Sequence, residues 1–177
     1  TELPTVKDLA EAPGDKLLKL WEGLGYYNRV RNMQKAAQKI EEEYAGKFPE
    51  NYEEIKALPG IGNYTAGAIS SFAYGIPKPA VDGNVLRVVS RLLASDADIM
   101  KASVRTKIEN AIEPVIPEDA ASDFNQGLIE LGAIVCVPNG EAKCEICPLS
   151  GICEAKRLGI QNELPVKKKA KARKIEE

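Results

Sequence analysis

The chain has 177 residues, 44% of them hydrophobic, enough to fill one large core or two small ones. No apolar run approaches the length of a membrane span. Net charge is −2, which excludes nucleic-acid binding through bulk positive charge; residues 165–177 carry six Lys/Arg and two Glu, a local +4, so the rest is about −6. Any contact with DNA must therefore use individually placed groups.

Helical periodicity recurs along the chain and strand signals are nearly absent. Thr5 with Asp8 forms a capping pattern before Leu9. A second helix is predicted over 15–22, broken by Gly23 and Gly25, and a third over 28–44, ending near Gly46. Asn51 with Glu54 caps a short helix before Leu58 and Pro59. Helical patterns follow over 63–74, 84–93, 103–112 and 122–135. Val85, Val88, Val89 and Leu92 form one apolar stripe; Phe124, Leu128, Leu131 and Val135 form another. The expectation is an all-α protein without internal repeats. Its helical domain covers 1–121, a last helix and a small cysteine module cover 122–164, and a basic linker covers 165–177. The start at Thr1, not Met, suggests a piece of a longer protein.

Three segments carry chemistry. In LPGIGNYTAGAI, Gly60 and Gly62 flank Ile61 at a turn between two helices. Either this is a plain helix–helix turn, or its glycines bring backbone amides and the next helix N-terminus close to a phosphate. In PAVDGNVLRV, Asp82 directly precedes a periodic helix. It reads as an ordinary N-cap, or as a carboxylate beside a small residue, able to stabilise positive charge on a sugar or activate water. In WEGLGYYNRVRN, glycines flank Tyr26 and Tyr27, leaving the rings exposed at a turn near Arg29 and Arg31. Each aromatic could serve as core packing, or as a wedge between base pairs.

All four cysteines, Cys136, Cys144, Cys147 and Cys153, fall within 18 residues, and the chain has no histidine. A metal centre here would be all-sulfur, either iron–sulfur or structural zinc. Two disulfides are the competing reading, disfavoured because no signal peptide is present and the cysteines share one loop-rich stretch.

Taken in order, WEGLGYYNRVRNMQKAA, LPGIGNYTAGAI, VDGNVLRV and the cysteine loop resemble the helix-hairpin-helix DNA glycosylases that carry a 4Fe–4S cluster. Among these the chain resembles the MutY-type adenine DNA glycosylases, over most of residues 3–165. The endonuclease III branch has a Schiff-base lysine after the hairpin glycines; here that position is Tyr64. The resemblance implies removal of adenine mispaired with 8-oxoguanine or guanine from double-stranded DNA, with the nucleoside flipped out. It also implies that Asp82 stabilises an oxocarbenium-like sugar beside Tyr64 and Asn84. Tyr26 would wedge into the duplex, and the amides around Gly60, Ile61 and Gly62 would grip phosphate. The four cysteines would hold the cluster, which shapes a DNA-facing loop. A monomer in a reducing compartment follows, cytoplasmic and nucleoid-associated if the source is bacterial.

Two departures from the family pattern stand out. The family's general-acid glutamate lies in a glutamine-rich run with no match here, so the fragment is expected to be inactive or crippled. The first cysteine interval, VPNGEAK, has seven residues where the family usually has six; Asn139–Gly140 is a turn that can absorb one. Two rivals follow: a non-catalytic DNA-binding module, and an endonuclease III-like glycosylase/lyase, which Tyr64 disfavours.

Overall fold

The computed structural model describes residues 2–168, and every regular element among them is helical. The chain divides into two compact units, Thr1–Ser70 and Ser71–Glu177.

In the first unit, α1 (Val6–Glu11) starts on the expected capping box: the Thr5 hydroxyl accepts the Asp8 N–H, and the Asp8 carboxylate accepts the Thr5 N–H at 3.0 Å. Pro13 separates it from α2 (Gly14–Leu20). The long α3 (Asn28–Tyr44) packs on α1, and Gln34 ties the two by donating to the Ala12 carbonyl at 2.7 Å. Helix α3 ends where Ala45 and Gly46 turn left-handed, the Gly46 N–H reaching back to the Ile40 carbonyl. Asn51 caps α4 (Tyr52–Lys56) by accepting the Glu53 N–H at 2.9 Å. Leu17, Val30, Ile40, Ile55 and Leu58 fill the core of this unit; each full burial contributes about 1.5–3 kcal/mol. Helix α5 (Asn63–Tyr74) then runs across the boundary between the units.

The second unit is built around α6 (Gly83–Leu92). Val85 and Val89 of the expected stripe join Leu86, Val81, Ile99, Ile108, Ile112, Ile116 and Ala121 in one cluster, with Phe124 and Leu128 packed against it; Val88 is buried outside that cluster and Leu92 is half-buried. Helices α7 (Ala102–Ile112) and α8 (Ala121–Glu130) supply most of the other side. The polar face of α6 is buried too: Arg87 and Arg91 are each only 4% exposed. A single regular helix was expected over 122–135. Instead α8 stops at Glu130, and Leu131–Val135 widens into a π-helical turn in which the Cys136 N–H bonds the Leu131 carbonyl, five residues back, at 2.7 Å. Gly132 sits in that turn hard against α6, a close approach no simple periodicity foretells. After the cysteine loop, α9 (Glu154–Leu158), not expected from sequence, buries Ala155 completely and packs on α6. Residues 169–177 of the expected basic linker lie outside the described residues, whereas Lys168 N–H still bonds Asp98 at 3.2 Å.

Candidate functional site

In the first unit, the loop from Trp21 to Tyr27 is set by three left-handed residues: Gly23 (φ 85°), Gly25 (φ 66°) and Tyr26 (φ 47°). Only the two glycines adopt this conformation without strain; a tyrosine pays roughly 1–2 kcal/mol. The Trp21 indole N–H donates to the Gly25 carbonyl at 2.8 Å, and the Arg29 N–H bonds the Tyr26 carbonyl at 2.8 Å. These bonds anchor the loop backbone, and the Tyr26 ring on it is 84% exposed. A strained, anchored, solvent-facing aromatic is costly to keep, and such cost clusters at binding sites.

The turn at residues 58–62 lies beside this loop. Gly60 has φ 79°, and a Cβ there would meet the Asn32 Cβ at 2.6 Å, so glycine is required both for conformation and for closeness to α3. Gly62 has open space around it, and α5 begins one residue later with Tyr64 40% exposed. Tyr26, Gly60 and Ile61 line one open groove of about 970 Å³, together with Asn28, Arg29 and Asn32. Gly62 and Tyr64 are not part of its lining.

In the second unit, Asp82 caps α6: its Oδ1 accepts the Asn84 N–H at 2.8 Å and the Val85 N–H at 2.9 Å. The cap reading of Asp82 is therefore correct, and it does not exhaust the carboxylate. Oδ2 accepts the Asn84 side-chain amide at 2.8 Å, and a carboxylate has about four acceptor sites. Asp82 is half-buried, and exposed Gly83 beside it leaves room for a substrate. The segment leading to Asp82 is pinned by groups that sequence reasoning missed. Buried Asn125 accepts the Ala80 N–H at 2.8 Å and donates to the Lys78 carbonyl at 3.0 Å, and Arg105 donates to the Val81 carbonyl at 2.6 Å.

Arg87 fixes which way the Asn84 amide faces. Its guanidinium donates to Asn84 Oδ1 at 2.8 Å, to the Gly132 carbonyl at 2.6 Å and to the Cys136 carbonyl at 2.7 Å. With its oxygen engaged there, Asn84 turns its NH₂ to Asp82. Burial lowers the Arg87 pKa and neighbouring Arg91 adds to this, while Cys136 and Asp82 act to raise it; an arginine keeps its proton regardless. Arg91, one turn on, donates to the Val137 carbonyl at 3.0 Å, to Cys136 Sγ at 3.3 Å and to the Leu164 carbonyl at 3.0 Å. The spacing Asn84, Arg87, Arg91 is a polar helical stripe, a sequence signal for these partners that reads equally as a solvated face.

The cysteines are all unpaired and half-buried, so the disulfide reading fails. All four line one small cavity with Arg91, Lys143 and Lys156. Burial first, then the nearness of Cys153, Cys136 and Cys147, pushes the Cys144 thiol up. The long first interval closes as expected: Gly140 takes φ 76° and the Lys143 N–H bonds the Val135 carbonyl at 3.0 Å. Among the described residues, no three Cys, Asp or Glu side chains are grouped to hold a single metal ion. Four thiols lining one small cavity with Arg91, Lys143 and Lys156 supply the donor types that an anionic thiolate-bound group would need.

Residues 1–114 match the family model described as "HhH-GPD superfamily base excision DNA repair protein". The chain belongs to this superfamily. It is 41% identical to the adenine DNA glycosylase of Homo sapiens, over 91% of this chain and 30% of that protein. Identity to the adenine DNA glycosylase of Buchnera aphidicola from Acyrthosiphon pisum is 39%, over 93% of this chain and 47% of that one. This chain thus spans less than half the length of these relatives. Among solved structures, a thermostable thymine-DNA glycosylase superposes with TM-score 0.77 at 27% identity, covering 89% of this chain and 72% of that one. A non-covalent endonuclease III–DNA complex gives TM-score 0.75 at 29% identity, covering 90% and 73%. Membership of the superfamily agrees with the hairpin, the helical fold and the aspartate after the hairpin, in that order along the chain.

Proposed function

We propose that this chain carries the core of a base-excision DNA glycosylase that hydrolyses the N-glycosidic bond of adenine mispaired with 8-oxoguanine or guanine. The observation that carries this reading is the Asp82 carboxylate, held by two backbone amides and the Asn84 amide beside the open space at Gly83. As adenine leaves an extruded nucleoside, the sugar gains oxocarbenium character, and a fixed carboxylate stabilises it without reorganising. Asn84 keeps that carboxylate oriented. Tyr64, where a lyase has lysine, cannot form a Schiff base, so strand scission is not part of the reaction. Tyr26 wedges into the duplex, and the amides around Gly60, Ile61 and Gly62 grip phosphate. Similarity to named adenine DNA glycosylases supports the base assignment.

Cys136, Cys144, Cys147 and Cys153 fit a 4Fe–4S cluster better than a single zinc, and the cluster would order the loop without taking part in base excision. The working divisions are 1–121 for hairpin and aspartate, 122–164 for the cluster segment and 165–177 for a linker. The protein acts as a monomer in a reducing compartment, at the nucleoid if bacterial. No glutamine-rich run bearing a general acid occurs in residues 1–177, and general acid–base help is worth ~10²–10⁴-fold, so excision by this stretch alone is slow.

Single-turnover assay on an 8-oxoguanine:A duplex tests the reading, with the family's upstream glutamate segment fused to Thr1 in a parallel sample. Adenine release without strand cleavage is expected, faster in the fused sample, and Asp82→Asn lowers the rate about 10²-fold or more while duplex binding persists. A borohydride-trapped adduct with strand cleavage would indicate a lyase instead. Binding without base release in either sample would leave only a DNA-binding module.

A further inference from the structure

We propose that Gly132, in the π-helical turn before Cys136, is a positioning residue that sets the placement of Asn84 and, through it, of the Asp82 carboxylate. The inference rests on the role for Asp82 proposed above. A Cβ on Gly132 would stand 2.5 Å from the Asn84 Cβ and 3.0 Å from the Asn84 Cα and carbonyl carbon. None of these is the far end of a flexible side chain, so the α6 N-terminus itself would have to move. The same residue's carbonyl accepts Arg87 Nη2 at 2.6 Å, and that nitrogen also holds Asn84 Oδ1 at 2.8 Å. Gly132 therefore meets Asn84 twice, once by direct contact and once through a shared guanidinium.

The wide turn is what brings this carbonyl and this missing side chain to α6. Its Leu131-to-Cys136 hydrogen bond spans five residues, the local unwinding found where helices serve a site. Asn84 in turn gives Asp82 its side-chain hydrogen bond, at 2.8 Å on Oδ2. Relieving the 2.5 Å contact to an ordinary separation moves the first turn of α6 by roughly 1 Å, which misdirects the Asp82 carboxylate, while Val89 one turn on should keep its place in the core.

The test compares affinity for two duplexes, one with a cationic pyrrolidine replacing the target sugar and one with a neutral tetrahydrofuran. Their ratio reads the Asp82 charge without needing excision. Cluster-loaded wild type is expected to favour the cation by roughly tenfold or more, the scale of one well-placed opposite charge. Gly132→Ala should bring the ratio within about twofold of unity, as should Asp82→Asn, with cluster absorbance and affinity for the neutral duplex retained. Gly127→Ala, at an exposed helical glycine with open space around it, should keep the wild-type ratio. A wild-type ratio in Gly132→Ala, with Asp82→Asn collapsed, overturns the role of Gly132 and spares that of Asp82. A wild-type ratio in Asp82→Asn, or no preference in the wild type, overturns both. Should Gly132→Ala fail to hold its cluster, Asn84→Ala reads the same path without adding a clash: it should bring the ratio within about twofold of unity with absorbance retained. A wild-type ratio in Asn84→Ala would overturn the proposal.

Discussion

Tyr26, the proposed wedge, sets backbone strain against the role assigned to it. Its left-handed φ of 47° and 84% exposure mean that the ring gains almost nothing from packing while the backbone is strained. Tyr26→Asn, which tolerates that conformation, should raise stability by about 0.5–1 kcal/mol in urea or thermal unfolding. The same change should weaken binding to the mispaired duplex by about tenfold, since aromatic–base stacking is worth ~1–3 kcal/mol. Gly60 and Gly62 look alike in the sequence and differ in the fold. Gly60→Ala must pay for φ 79° and for the contact with Asn32 at 2.6 Å, a cost of roughly 1–3 kcal/mol. Gly62→Ala meets open space and should fold normally. Paired melting curves of the two variants check this directly.

At the level of elements, α6 does two jobs with its two faces. The Val85, Leu86 and Val89 side drives burial, and the Asn84, Arg87 and Arg91 side hydrogen-bonds the π-turn and the cysteine segment. Burying two guanidiniums is affordable only because backbone carbonyls satisfy them. Arg91→Met keeps the bulk and strips donors from the Leu164 and Val137 carbonyls and from Cys136 Sγ. It should cost about 2–4 kcal/mol. It should also speed loss of the proposed cluster to a chelator several-fold, followed by visible absorbance. The caps of α1 and α4 were legible because each depends on a side chain two or three positions from its own partner. The break at Glu130 was not, because Phe124, Leu128, Leu131 and Val135 keep helical spacing straight through it. The wide turn coincides with the approach of Gly132 to Asn84, a neighbour 48 residues away that helical spacing does not encode.

For the molecule as a whole, the body's charge of about −6 limits how much of the proposed DNA binding can be electrostatic. Placed amides at the hairpin and a few basic side chains predict a shallow salt dependence, with log K falling by about 2–4 per decade of salt. Read as a linker, residues 165–177 contribute little to it. Changing Lys169, Lys171, Arg173 and Lys174 to Gln should therefore leave the slope within about one unit, as duplex titrations across a salt series would show.

The sequence by itself determined the all-helical class, the superfamily, the glycine turn, the cap at Asp82 and the cysteine set. These are written in periodicity, in spacing and in residue types with few alternative uses. Only the tertiary structure decided that Arg87 and Arg91 are buried, that Asn125 and Arg105 pin the segment before Asp82, and that Gly132 presses on Asn84. Those contacts join residues 24 to 73 positions apart. A polar stripe or a lone helical glycine has the same local pattern whether it faces water or another backbone, so its meaning is fixed only when the chain folds back upon it.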